Sequence, residues 1–426
     1  MPFTHDPMEL SAWLRLSLEP GLRPADAYVL LGAMGLPQQV YARPAAELAQ
    51  WVPGPLARQL AAPPVPALAA RIAAALDWAR QPDHHLLCLA DAAYPRALLD
   101  VGDPPPLLYV RGDPALLARP SLAIVGARNA TPDGCDNAHA FARHLAAQGW
   151  CVVSGLAAGI DAAAHEGALA AGAAGAATVA VLGTGIDVVY PLHHAALATR
   201  IAESGALVSE FPLGTPALPH HFPRRNRLVA GLARGVLVVE AASRSGSLIT
   251  ARLAGEYGRE VFAIPGSIHS PLTRGCHALI RQGAKLVESA RDIADELGGG
   301  KPARAHGPGM DEDPEENVDE NAHENTDPHA DSQTDQNTDA STHEAMDKGM
   351  AGAARAHALP GRPDAALLAC LGHDPVHRET LMLRSGLASA ELDAALLRLE
   401  LAGQVARRES GYFQRSRGGA RARGKD

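Results

Sequence analysis

The sequence predicts an α/β protein in which a parallel sheet is covered on both faces by helices, with a small helical unit before it and a winged-helix unit after it. Three observations carry this. Short β-branched runs alternate with Ala-rich helical stretches between residues 121 and 297. The first 80 residues show helical apolar spacing broken by Pro and Gly. Helical periodicity returns at 362–414 and ends in a hairpin-like string.

The chain has 426 residues and 47% hydrophobic content, enough for two or three domains with a sizeable core. Residues 1–80 read as a helical domain. The string PGLRP at 20–24 between two helical stretches has the look of a helix-hairpin-helix turn, although a plain helix-to-helix turn fits it as well.

In the core, taken as 81–297, the predicted strands are LAIVG (122–126), WCVVSG (150–155), TVAVLG (178–183), ALVSE (206–210), GVLVVE (235–240) and EVFAIPG (260–266). Helices fit between them at 134–148, 160–171, 194–203, 224–233 and 246–257. Continuous apolar strands separated by helices make a buried parallel sheet.

Residues 298–358 are poor in large apolar side chains and read as a disordered acidic linker. Between 299 and 350 there are 14 acidic and 3 basic residues, a charge of −11. The chain totals −9, so the remainder is +2, and the overall sign does not exclude a polyanionic partner. At 359–414, Leu367, Leu368 and Leu371 mark one helix, RETLMLRSG a second and SAELDAALLRLELAG a third, before the hairpin GQVARRESGYFQ. Residues 415–426 form a basic tail with Arg415, Arg417, Arg421, Arg423 and Lys425.

MPFTHDPMELSAWLRL lacks a basic start with an apolar stretch and cleavage site, and no window is apolar over a bilayer's thickness, so a cytoplasmic, membrane-free location is expected. Cys88, Cys135, Cys151, Cys276 and Cys370 contain no CxxC pair and read as small core residues, not as disulfides or a zinc site.

Glycines and small hydroxyl residues fall at the carboxyl ends of the strands: Gly126, Ser154 with Gly155, Gly183 with Gly185, and Ser245, Gly246 and Ser247. Open α/β sheets bind ligands there. Close backbone approach at glycine, together with helix N-termini, makes an anion platform. Arg128 follows the first strand; Arg224, Arg225 and Arg227 sit with Asn226 in FPRRNR; Arg244 and Arg252 flank SGS. Several guanidinium forks along one edge suit a polyanion better than one nucleotide.

Other chemistries lack support. The first strand leads into GARNATPDG instead of GxGxxG, and there is no GxSxG, Walker lysine loop or HExxH. The His193–His194 and His220–His221 pairs lack a third ligand at a suitable spacing, so neither metal nor cofactor is expected. Of the carboxylates Asp161, Glu166, Asp187, Glu210 and Glu240, Asp161 opens a helix and reads as capping amides, and Glu240 as orienting an arginine.

Long strings resemble the DNA-processing protein A (DprA, or Smf) family: YPRALL (94–99), IVGARNATPDG (124–134), VVSGLAAGIDAAAHEGAL (152–169), VAVLGTGIDVVYP (179–191), SEFPLGTP (209–216), HFPRRNRLVAGL (221–232), VLVVEAASRSGSLITARLAGEYGREVFAIPG (236–266) and RGCHALIRQGAKLV (274–287). The resemblance implies an extended Rossmann-like fold that binds single-stranded DNA without hydrolysing it, protects incoming strands and loads the RecA recombinase in natural transformation. It places phosphate contacts on Gly126 and Arg128 of the GxR motif, on Arg225, Asn226 and Arg227, and on Ser245–Ser247. It also implies a homodimer through 275–287, including Leu279, Ile280 and Leu286.

The chain departs from the family pattern at Ala158, Leu192, His193, Leu218 and Pro219, where many members carry cations. Histidines 193, 194, 220 and 221 stand in for them in part, which implies binding that strengthens at lower pH. Two other readings stay open on the residues: a nucleotide N-glycosidic hydrolase using Asp161, Glu166 and Glu240, and a duplex-DNA regulator working through 362–414.

Overall fold

In the computed structural model, residues 6–298 are described apart from 173, 174 and 176, as are residues 363–415 apart from 372–374, 409 and 410. The expected acidic linker, and the basic tail beyond Arg415, lie outside the described residues.

The N-terminal unit is built from α1 (Pro7–Leu18), α2 (Pro24–Met34), α3 (Pro37–Tyr41), α4 (Ala45–Leu48), α5 (Gly54–Ala61) and α6 (Pro66–Ala79). Proline opens most of these helices, as its fixed φ favours the first turn. Two strands that the periodicity did not indicate follow: β1 (His84–Cys88) and β2 (Leu107–Gly112).

The alternating segment then gives β3 (Ser121–Val125), α7 (Pro132–Ala147), β4 (Cys151–Ser154), α8 (Ile160–Ala170), β5 (Thr178–Val181), α9 (Ala195–Ser204) and β6 (Ala206–Ser209). It continues through α10 (His221–Leu232), β7 (Gly235–Val238), α11 (Ser247–Glu256), β8 (Glu260–Ala263), α12 (Arg274–Arg281), β9 (Lys285–Leu286) and α13 (Ala290–Leu297).

Among the described residues the sheet has nine strands in the order β1-β2-β6-β5-β4-β3-β7-β8-β9. It is parallel from β6 to β9, while β2 pairs antiparallel with β6 and β1 with β2. The chain winds from β3 through β4 and β5 to β6, then returns to the other side of β3 for β7, so the topology switches at β3.

Strand alternation sends Leu122 and Ile124 into one apolar layer and Ala123 and Val125 into the other. A third layer joins Trp13, Leu14 and Trp78 of α1 and α6 to Leu107, Tyr109 and Leu207 of the sheet, so the helical unit shares its core with the α/β unit. Residues 84–112 escaped the periodicity reading because they form an antiparallel pair at one end of the sheet joined by a Pro-rich loop, outside the strand–helix rhythm.

The C-terminal unit has α14 (Pro363–Cys370), β10 (Val376–His377), α15 (Arg378–Ser385), α16 (Ser389–Leu401), β11 (Val405–Arg407) and β12 (Tyr412–Arg415). Three helices pack with a three-stranded sheet, β10-β12-β11, around Leu367, Leu381, Leu392, Leu396 and Phe413, as a winged helix does. Arg384 of α15 reaches Asp133 at 2.7 Å and Asp136 at 2.6 Å, both on α7. Among the described residues no single helix is long and apolar enough to cross a membrane.

Candidate nucleic-acid interface

The carboxyl ends of β3, β4 and β7 diverge around the topological switch, and a cavity of about 380 Å³ opens there. Gly126 and Arg128 line it from the turn after β3, and Ala157 and Asp161 from the segment after β4. Phe222, Arg225 and Asn226 reach it from α10, Ser245 and Gly246 from the loop after β7, and Ser247, Ile249 and Thr250 from the start of α11.

Arg128 is exposed and has no ion-pair partner among the described residues; its Cζ sits 5.5 Å above the Phe222 ring. Phe222 is partly exposed and meets Tyr190, with ring centroids 5.4 Å apart. Asn226 Nδ2 donates a long bond of 3.4 Å to the Gly246 carbonyl. Ser245 and Ser247 share a hydroxyl–hydroxyl bond of 2.7 Å at the start of α11, where Ser245 Oγ also accepts the Ser247 amide at 3.3 Å. A free guanidinium, an amide and two hydroxyls thus face one cavity beside an aromatic ring.

The other expected contacts are placed differently. Arg225 lines the cavity but is only 4% exposed, and its Nη1 donates to the carbonyls of Gly155, at 2.5 Å, and Val181. Burial lowers its pKa to about 10 against the pull of Asp161, so it stays charged at neutral pH. Asp161 is buried, which raises its carboxyl, while Arg225 and the donated amides of Gly155 (3.1 Å) and Ala157 (3.4 Å) oppose that rise. Asp161 thus ties down the loop between β4 and α8, while α8 itself begins without a side-chain cap, contrary to the expected capping role.

Arg227 corrects the sequence expectation. At 5% exposure it pairs with Glu210, and at 3.1 Å with Asp103, and it does not line the cavity. Arg224 also turns away, to Glu210 at 3.1 Å. The cause is helical periodicity: residues 224 and 227, three apart, share one face of α10, while Phe222, Arg225 and Asn226 project toward the cavity. Four consecutive polar residues cannot all address one ligand from a helix.

The glycines at 126, 155 and 183 are each required by packing. A Cβ at Gly126 would lie 2.5 Å from Ile160, one at Gly155 would overlap the Arg225 guanidinium, and one at Gly183 would lie 2.9 Å from Phe222. Gly246 is different, with nothing within 4 Å of an added Cβ. The Ser154 hydroxyl is buried and donates to the Ile124 carbonyl at 2.7 Å, stitching β4 to β3.

Glu240 accepts from the Thr131 amide (2.9 Å) and hydroxyl (2.6 Å), fixing the entry to α7. Glu166 pairs with Arg200 at 2.8 Å. Asp187 accepts from the Gly214 amide at 2.9 Å. Among the histidines, His221 stacks on Phe211, with centroids 4.3 Å apart, and burial lowers its pKa; His194 bonds the Leu156 carbonyl at 2.9 Å. That leaves His193 and His220 on the exposed rim. Sequence reasoning missed Phe222 and Tyr190; an aromatic immediately before a PRRNR string was the available signal for the first.

Residues 85–298 match the family model described as DNA recombination-mediator protein A, and residues 351–411 match the DprA winged helix domain. The chain is similar to protein Smf of Escherichia coli (strain K12), 48% identical over 227 residues, which span 53% of this chain and 60% of that protein. It is 46% identical over 209 residues to the DNA processing protein DprA of Streptococcus pneumoniae, across 49% of this chain and 73% of that one. The X-ray structure of DNA processing protein A from Streptococcus pneumoniae superposes with a TM-score of 0.56 at 36% identity, covering 67% of this chain and 95% of the other.

Proposed function

The chain belongs to the DNA recombination-mediator protein A (DprA/Smf) family, and on that footing we propose that it binds single-stranded DNA in the switch-point cavity, without cleaving it, during DNA processing in transformation and recombination. The observation that carries the reading is the meeting of Arg128, Asn226 and the Ser245–Ser247 turn with the Phe222 ring in one cavity. The guanidinium, the Asn226 amide and the serine hydroxyls suit a phosphodiester, and the ring suits the face of an unstacked base. A duplex keeps its bases stacked inward and offers no face to that ring.

The hydrolase reading loses its acid–base pair. Asp161 is held by two amides and Arg225, Glu166 by Arg200 and Glu240 by Thr131, so none of the three is poised with another in the cavity. The duplex-regulator reading is weakened by α16, the second helix of the helix-turn-helix, which exposes Glu391, Asp393 and Glu400 against one arginine, Arg398, itself paired with Asp364 at 2.6 Å.

Transfer of the bound strand to RecA and assembly as a homodimer belong to the same proposal. Leu279 is only 9% exposed and packs inside the protomer, so it is withdrawn from the dimer contact; Leu286, 48% exposed on the edge strand β9, and the partly buried Ile280 remain as candidates.

Fluorescence anisotropy with labelled oligo-dT and a duplex of equal length, at two salt concentrations, tests the reading. Tighter binding of the single strand, weakening with salt, is expected. Equal or stronger binding of the duplex, or release of free base from nucleoside monophosphates, would refute it.

A further inference from the structure

We propose a second subsite for one unpaired nucleotide, in the cavity of about 180 Å³ between the N-terminal helical unit and the core. It rests on the single-stranded DNA reading above and extends it: the helical unit becomes a DNA-contacting element.

The first turns of α10 form a wall common to both cavities. Phe222, Pro223, Arg225 and Asn226 line the first; Arg224 lines the second, together with Glu210 and Phe211. A helix is about 10–12 Å across with its side chains, so a strand leaving the first cavity over Pro223 and Arg224 meets the second within a few nucleotides.

Two cations stand at the second cavity, one from each unit. Arg23, at the N-cap position of α2, has a 77% exposed side chain and pairs with Asp26 at 2.8 Å; Arg224 is 46% exposed and pairs with Glu210 at 3.1 Å. Both keep guanidinium surface available to a phosphate on the solvent side.

The independent pointer to a ligand is Glu210. Its side chain is 3% exposed, its Oε2 takes both Arg224 and Arg227, and its Oε1 is buried with no hydrogen-bond partner. A buried acceptor left unmade is costly, and it calls for an N–H donor from something entering the cavity. Each nucleobase carries an N–H on its pairing edge, and in a duplex that edge is already engaged. Phosphate on Arg23 and Arg224 with a base N–H on Glu210 Oε1 therefore describes an unpaired nucleotide.

The test measures anisotropy of full-length protein with a short oligo-dT of about 6 nucleotides and a long one of about 20, for wild type and Arg23→Glu. Arg23 is exposed, so the fold is expected to stand. The long oligonucleotide is expected to bind about tenfold more weakly with a shallower salt dependence, and the short one within about twofold of wild type. Equal weakening of both lengths, or of neither, overturns the second subsite while leaving the first intact; failure of wild type to bind either length removes the underlying reading. As a second measurement, photocrosslinking of a 5-bromouracil-substituted long strand is expected to label the peptide spanning residues 16–27. Labelling confined to the first cavity's peptides counts against the subsite.

Discussion

The guanidinium of Arg225 lies where a side chain on Gly155 would stand and donates to that glycine's carbonyl at 2.5 Å. An arginine that a linear reading assigns to DNA is thus built into the floor of the site, tied to β4 through Gly155 and to β5 through Val181.

Arg225→Ala is therefore expected to act first on stability. It leaves Asp161 buried without its counter-charge, a change that costs about 3–5 kcal/mol and should appear as a lower urea midpoint in circular dichroism. Loss of DNA binding with an unchanged midpoint would mean that Arg225 meets the phosphate directly.

Arg128→Ala is expected to behave oppositely, because the side chain is exposed and unpaired among the described residues. Stability should stay level while oligo-dT affinity falls by about 1–3 kcal/mol, as for loss of a charge-assisted contact. Anisotropy titrations paired with thermal melts separate the two effects.

Phe222→Ala removes the proposed base platform and is expected to weaken oligo-dT binding by about 1–3 kcal/mol with little change in its salt slope, since no phosphate contact is lost. Gly183→Ala should reproduce part of the effect by pressing on the ring 2.9 Å away. A changed salt slope at unchanged stacking affinity would argue against the ring's role.

Stability should fall in acid through His165. This ring is buried, bonded to the Thr178 hydroxyl at 2.8 Å, and burial lowers its pKa to about 3. Below the unfolded value of about 6.5 the unfolded chain takes up a proton that the folded one refuses, so stability drops by about 1.4 kcal/mol per pH unit. Urea unfolding at about pH 7 and 5.5, with His165→Asn as control, checks it; an equal drop in the variant would assign the acid sensitivity elsewhere.

Much of the site was legible because loops at strand ends are short and local. Gly126, Arg128, Asn226 and Ser245–Ser247 each follow or flank a segment that the alternation of apolar runs located, and all of them line one cavity. Arg227, Ser154 and Leu279 were misjudged for one shared reason: burial depends on what packs from elsewhere in the chain. Glu210 captures Arg227, the Ile124 carbonyl captures Ser154, and the sheet's apolar layer takes Leu279.

By itself the sequence determined six of the seven parallel strands, the helices between them, the winged helix and the family, since period-2 and period-3.6 patterns and long motifs are written along the chain. Only the tertiary structure decided the strand order that puts the ends of β3, β4 and β7 side by side, and which arginines face solvent. The return of the chain that sets β7 beside β3 and the burial of Arg225 depend on contacts between segments more than fifty residues apart, such as Leu122 with Gly235 and Arg225 with Gly155, and no local pattern encodes them.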